Sequence, residues 1–239
     1  MISIKGVSKT YGKSTLAVDS LDLEIEEGQI TGFIGPNGAG KTTTLKMITG
    51  ILNQDEGIIT VNGFDIAKEP LKTKLQFGFV PDNPDMFLRL KGIEYLNFMA
   101  DLYNTGTQER KDQINIMADR FEMKEALGDK ILSYSHGMRQ KIVIMGALIH
   151  NPSVWILDEP LTGLDPKSAF ELKEMMKEHV KNGNSVLFST HVLEVAEKLC
   201  DKVAIINKGK LIFSGTLEEL KADHKEGESL ENIFLSITR

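Results

Sequence analysis

Apolar and polar positions alternate in short runs over the first third of the chain. Residues 2–7, 21–25, 30–34 and 57–61 are rich in Ile and Val and bounded by Gly, Asp and Asn, which predicts strands closed by turns. Residues 41–50 predict a helix of about two and a half turns, with Gly50 as its C-terminal stop. From about residue 84 to 148 the character changes. This stretch is polar, rich in Met, Lys, Asp and Glu, and reads as helices, with amphipathic segments at 92–104 and 109–121. Beyond it, residues 154–157 and 185–189 are apolar runs suited to buried parallel strands. A helix at 167–181 between them spaces Leu172, Met175, Met176 and Val180 for one face, where the methionines serve as core packing. A hairpin follows, from 203–206 through Asn207-Lys208-Gly209 to 211–213, and Thr216 with Glu219 has capping-box spacing. Strands alternating with helices predict an α/β fold with a mainly parallel sheet, into which the 84–148 block is inserted.

Composition narrows the classes. The 239 residues suffice for one large domain whose core needs no disulfide or metal. No repeat, linker or low-complexity tract divides them, so residues 1–239 are expected to form a single domain. Hydrophobic residues at 41% and charged residues at 26% exclude a disordered chain. Lys and Arg number 28 against 34 Asp and Glu, a net charge of −6, so the basic footprint of a nucleic-acid binder is missing. The single cysteine, Cys200, has no internal disulfide partner and reads as a buried small hydrophobe. The longest apolar run, 142–149, is well short of the roughly 18–20 residues that cross a bilayer, and the N-terminus lacks a signal-peptide pattern. The expectation is a cytoplasmic protein without direct membrane insertion. If it works at a membrane, another chain brings it there.

Two segments carry chemistry by themselves. Gly35-Pro36-Asn37-Gly38-Ala39-Gly40-Lys41-Thr42 matches G-x-x-x-x-G-K-[ST], placed between a predicted strand and a predicted helix. A triphosphate is densely anionic and needs many N–H donors at close range. Glycines at 35, 38 and 40 let the backbone curl towards it, and the helix N-terminus adds aligned donors. Lys41 supplies a point charge for the β- and γ-phosphates, and the Thr42 hydroxyl can ligate Mg²⁺. Thr43 follows in the same first turn. The second segment, Val154 to Glu159, is an apolar strand ending in two acids. Behind a phosphate loop, Asp158 is placed to hold Mg²⁺ and Glu159 to accept a proton from the attacking water.

Together with four further segments in order, these motifs resemble the ATP-binding cassette (ABC) ATPases, the nucleotide-binding subunits of ABC transporters. The resemblance runs from about residue 2 to 234. Tyr11, in Ser8-Lys9-Thr10-Tyr11-Gly12, matches the aromatic that stacks on adenine; the bland alternative is a core aromatic at a strand end. Tyr134-Ser135-His136-Gly137-Met138 is similar to the signature motif L-S-G-G-Q, matching at Ser135 and Gly137. In the family that motif reaches ATP held by the other subunit. Leu161-Thr162-Gly163-Leu164-Asp165-Pro166 resembles the D-loop, and His191 the switch histidine that contacts the γ-phosphate. One position departs: where the family's Q-loop carries a Gln, Phe77-Gly78-Phe79-Val80-Pro81 leads to Asp82, a shorter and charged candidate Mg²⁺ ligand. The other histidines, His136, His150, His179 and His224, show no metal spacing.

The resemblance implies a phosphate-loop NTPase core with a mainly parallel sheet, an N-terminal antiparallel β-subdomain and an inserted helical subdomain. It implies ATP and Mg²⁺ as cofactors. It implies two partners: a multi-span transmembrane permease, and a second copy or paralogous ATP-binding subunit in a head-to-tail dimer. The chain would then sit peripherally on the inner face of the cell membrane. The altered signature and Q-loop, and the tail Ser229 to Phe234, look most like bacterial export-type cassettes. Residues 82–90, with Met86, Phe87 and Leu88, are the candidate permease contact, although those side chains could equally be core. The alternative functions are a soluble cassette ATPase of the iron–sulfur-assembly type, a chromosome or DNA-repair cassette, and a translation-associated cassette. The absence of a coiled-coil insert or zinc hook, the acidic charge and the single cassette count against the last two.

Overall fold

The computed structural model describes residues 1–12, 14–222 and 230–237; His224 and Ser229 lie outside them. In chain order the elements are β1 (Ile2–Tyr11), β2 (Thr15–Ile25), β3 (Ile30–Ile34), α1 (Lys41–Ile48), β4 (Glu56–Val61), β5 (Phe64–Asp65), α2 (Pro70–Lys74) and β6 (Phe77–Val80). The helical block follows with α3 (Gly92–Leu102), α4 (Thr107–Arg120) and α5 (His136–Leu148). The rest is β7 (Val154–Asp158), α6 (Pro166–Lys181), β8 (Ser185–Thr190), α7 (Leu193–Leu199), β9 (Lys202–Asn207), β10 (Lys210–Gly215), α8 (Leu217–Ala222) and α9 (Leu230–Ile237).

The strands form two sheets. One is antiparallel, in the order β2-β1-β4-β5. The other runs β10-β9-β3-β8-β7-β6; all neighbours are parallel except the β9–β10 hairpin at the edge. In β2, Leu21, Leu23 and Ile25 are buried while Asp22 and Glu24 are exposed, the period of a strand covered on one face. β3, β7 and β8 are buried at every position, as strands sandwiched on both faces must be. Helix α1 lies between the sheets, with Leu45, Met47 and Ile48 in one core with Ile2, Ile4 and Leu23 on one side and Val154, Ile156 and Leu187 on the other. On the far face, a second core runs without a break from α6 (Leu172, Met176) through Trp155 into the helical block (Leu96, Ile114, Phe121, Ile144). The block and the sheet are thus welded by shared apolar burial.

Most predicted ends are close to the observed ones, and the differences have local causes. Helix α1 closes with Gly50 at φ +65°, the amide of Ile51 donating to Lys46 O and that of Gly50 to Met47 O, a Schellman closure. Strands β1 and β2 are longer than expected because their paired backbones carry polar residues beyond the apolar runs, through shifts in register. β5, β6, α2 and α7 are short elements that the apolar periodicity does not reveal. In β6, Gly78 is required because a Cβ there would strike the Ala147 carbonyl oxygen of α5. Among the described residues, no helix is long and apolar enough to cross a membrane.

Candidate active site

The register of the large sheet brings the chemistry to one edge. Ile34 at the end of β3 pairs with Thr190 of β8, Ser189 of β8 with Asp158 of β7, and Leu157 of β7 with Val80 of β6. The residues just past these C-terminal ends therefore converge, the usual ligand crevice of an open parallel sheet. They line a cleft of about 310 Å³ made by Pro36 to Thr43, Asp82, Glu159, Thr162, His191 and Ala17 of β2.

The phosphate loop is shaped by chain that lies far away in sequence. A Cβ at Gly35 would collide with the Ile206 carbonyl oxygen, and one at Gly40, where φ is +112°, would sit 2.6 Å from the Ala17 carbonyl oxygen. The Lys208-Gly209 turn of the β9–β10 hairpin has both residues at positive φ, as a tight two-residue hairpin requires. Its Gly209 amide donates to Ala39 O at 2.9 Å, and Gly209 O accepts from the Asp19 amide at 2.9 Å. Lys41 is only 7% exposed and donates to Gly35 O at 2.6 Å and Pro36 O at 3.3 Å. Burial pulls its pKa below the ordinary 10.5, against the opposing fields of Glu159 and Asp158.

The two carboxylates differ in their surroundings. Asp158 is 2% exposed, beneath the cleft, and accepts from Ser189 Oγ at 2.6 Å. Glu159 opens into the cleft with φ +48°; one of its oxygens is 3.0 Å from His191 Nδ1 and 3.9 Å from Lys41 Nζ. A carboxylate only accepts, so His191 Nδ1 carries the proton and Nε2 is left to meet a second group. Thr42 and Asp82 are exposed on the cleft wall. The donor set available to a metal is a hydroxyl and carboxylates, hard oxygens of the kind Mg²⁺ takes alongside water and phosphate. Among the described residues, no cluster of three or more His, Cys, Asp or Glu could hold an ion alone.

Five expected site residues stand outside the cleft lining: Gly35 and Asp158 are buried, and Tyr11, Ser135 and Gly137 lie elsewhere. Tyr11 ends β1, paired with Thr15, and its ring is 43% exposed, so it is not a core aromatic. Ser135 and Gly137 open α5 elsewhere, where Ser135 Oγ caps the helix by accepting the Met138 amide at 3.2 Å. Gly137 and His136 abut Gly163: a side chain at 137 would meet the Gly163 carbonyl oxygen at 2.7 Å, and a Cβ on Gly163 would strike the His136 ring. Asp165 caps α6, accepting from the Ser168 amide at 3.0 Å and pairing with Lys141 at 2.8 Å, contacts that hold its carboxyl far below the ordinary range. Residues 82–90 divide. Met86, Leu88 and Leu90 pack on the helical core, whereas Phe87, at φ +53°, is 44% exposed against the rings of Tyr95 and Phe98. Sequence reasoning gave no site role to Ala17 or Ser189 and placed Thr162 only within the D-loop resemblance; Ser189 is one of three hydroxyl residues in β8, and nothing in the sequence singles it out.

Known proteins agree with this architecture. The sequence pattern of the family described as ABC transporter matches residues 18–162. The chain is 36% identical over 240 residues to the ABC transporter ATP-binding protein NatA of Bacillus subtilis, covering 99% of this chain and 97% of that one. It is 34% identical to the daunorubicin resistance ATP-binding protein DrrA3 of Streptomyces coeruleorubidus, over 93% of this chain and 70% of that one. A solved ATP-binding subunit of an ABC transporter superposes with a TM-score of 0.95 at 30% identity, covering 100% of this chain and 99% of the other. A dimeric, post-hydrolysis ATP-binding cassette bound to ADP and phosphate shares the fold, with a TM-score of 0.82 at 24% identity over 91% and 99% of the two chains. The cleft at the strand ends and the match over the whole chain lead to one conclusion: the protein belongs to the ABC transporter family, as an ATP-binding subunit of the cassette type.

Proposed function

We propose that this chain binds ATP with Mg²⁺ and hydrolyses it, as one half of a head-to-tail dimer that powers export through a multi-span membrane permease. The observation that carries the reading is Glu159, held 3.0 Å from His191 and 3.9 Å from Lys41 at the mouth of the phosphate loop. Water adds its oxygen to the γ-phosphorus as the bond to the β–γ bridging oxygen breaks. Glu159 takes the water's proton, and ADP and phosphate leave. His191 Nδ1–H fixes the carboxylate that receives the proton. Lys41 and the loop amides offset the charge that spreads over the phosphate oxygens. Magnesium, when bound by Thr42, Asp158 and Asp82, supplies further neutralisation of that charge.

The second subunit is needed because Ser135 and Gly137 do not line their own cleft. An exposed helix N-terminus with a serine cap is suited to phosphates presented by another copy. Tyr11, exposed at the hairpin end, is the proposed adenine stack. The exposed Phe87 and Phe98, beside the Asp85–Arg139 ion pair at 2.7 Å, form the proposed permease contact. The resistance names of relatives such as DrrA3 support export.

The test is a Glu159→Gln chain, tagged and trapped with ATP. It is expected to bind ATP, to lose about 10²–10⁴ in turnover, and to bring down a multi-span membrane protein in stoichiometric amount from detergent extracts. Near-normal turnover would move the base elsewhere. Recovery of soluble partners alone would replace the transporter with a soluble cassette ATPase.

A further inference from the structure

Ser189 is the one wholly buried hydroxyl between the two acids of the site. It sits in β8 directly opposite Asp158, at 0% exposure. Its Oγ donates to Asp158 Oδ1 at 2.6 Å and accepts the Glu159 amide at 2.9 Å. The direction of this chain is fixed by the atoms. The amide can only donate, and an ionised carboxylate can only accept, so the single hydroxyl proton must point to Asp158.

The amide that Ser189 receives belongs to the residue with the least comfortable backbone in the cleft. Glu159 has φ +48°, a left-handed conformation that a residue with a Cβ keeps only where its surroundings hold it. Here β7 has ended, and a side chain from the neighbouring strand takes over the hydrogen bond. The same hydroxyl occupies one oxygen of Asp158 and so fixes the plane of that carboxylate. One atom therefore sets the direction of Glu159 towards His191 and the orientation of Asp158 under the loop.

We propose that Ser189 is a positioning residue for phosphoryl transfer, a hydroxyl brace that registers the general base and the metal-binding carboxylate to each other. The proposal rests on the ATP-hydrolase reading above. It differs from a packing role in what it requires: a packing residue needs volume, whereas the brace needs an oxygen that donates and accepts at once.

The experiment compares wild type, Ser189→Ala and Ser189→Thr for kcat, KM for ATP and the Mg²⁺ concentration at half-maximal rate. Amide hydrogen exchange of the nucleotide-free protein is read alongside. Losing a hydrogen bond to a charged group is expected to lower kcat by about tenfold or more, with KM for ATP changed by less than about threefold. The Mg²⁺ requirement should rise, and the Glu159 amide should exchange faster without nucleotide. Ser189→Thr should recover both kcat and Glu159 protection. A Ser189→Ala chain with wild-type kcat, Mg²⁺ requirement and exchange overturns the brace while leaving the hydrolase reading intact. Equal damage in the Ala and Thr variants also overturns it, by assigning the effect to volume. A wild-type chain without ATP turnover removes the hydrolase reading and the brace with it.

Discussion

His179 is buried on helix α6, its ring stacked on the indole of Trp155 with centroids 4.2 Å apart. Its Nδ1 faces the Asn184 amide nitrogen at 3.4 Å, and the ion pair of Arg120 and Glu178 lies alongside. Burial pushes its pKa from the ordinary 6.5 down to about 4. The sign follows from proton counting. Between these two values the unfolded chain holds a proton that the folded chain refuses, so stability is full above pH 6.5 and is lost as pH falls towards 4. For a shift of this size the loss between pH 7 and pH 5 is about 2 kcal/mol, on the order of 1.4 kcal/mol per pH unit once the unfolded histidine titrates. Trp155 is the only tryptophan, so urea unfolding followed by its fluorescence reads this part of the core directly. Carboxylates also titrate over this range, so the comparison is with His179→Phe, which keeps an aromatic face on Trp155 and cannot take a proton. Whatever that variant costs at pH 7, the wild type should lose about 2 kcal/mol more than it does on going to pH 5. Parallel pH dependences in the two proteins would refute the reasoning. His150, stacked on Tyr103 at 3.5 Å and likewise pushed down to about 4, should behave the same way in its own variant.

The phosphate loop supports two simpler tests. Gly40→Ala forces a Cβ towards the Ala17 carbonyl at a φ of +112°, whereas Gly38→Ala meets open space at +78°. The first should cost about 2–3 kcal/mol and the second about 1, a difference of several degrees in Tm by calorimetry; equal shifts would contradict the loop's packing on β2. Lys41→Ala should lose most affinity for a fluorescent ATP analogue in a binding titration, and unchanged binding would sink the phosphate-loop assignment.

The motifs that sequence reveals most clearly are those whose residues are contiguous. The phosphate loop, the Asp158-Glu159 strand end, the Gly50 helix stop and the Thr216–Glu219 capping box are each spelled out within a few neighbouring residues, even where distant chain shapes them. Thr216 and Glu219 do exchange both bonds of the box, at 2.7 and 3.1 Å. What stays hidden depends on register between distant strands. Ser189 matters only because β8 aligns it with Asp158, and Ala17 only because β2 folds over the loop. Phe87 and its neighbours resist reading for another reason. Residues 82–90 have no regular period, so nothing in their order says that Met86 and Leu88 turn inwards while Phe87 turns out. The short edge strand β6 is concealed by Gly78, a poor strand former that its packing on α5 demands.

The hairpin turn at Gly209 carries a consequence for the order in which the protein is made. The phosphate-loop motif is complete as a sequence by Thr42, yet its Ala39 carbonyl is tied to the Gly209 amide and its Gly35 abuts Ile206. During synthesis the phosphate loop must therefore wait for most of the remaining chain before it takes its final shape. A nascent chain released early would carry the motif without the Gly209 contact, so the loop's final shape arrives late, close to the point at which the whole sheet is assembled.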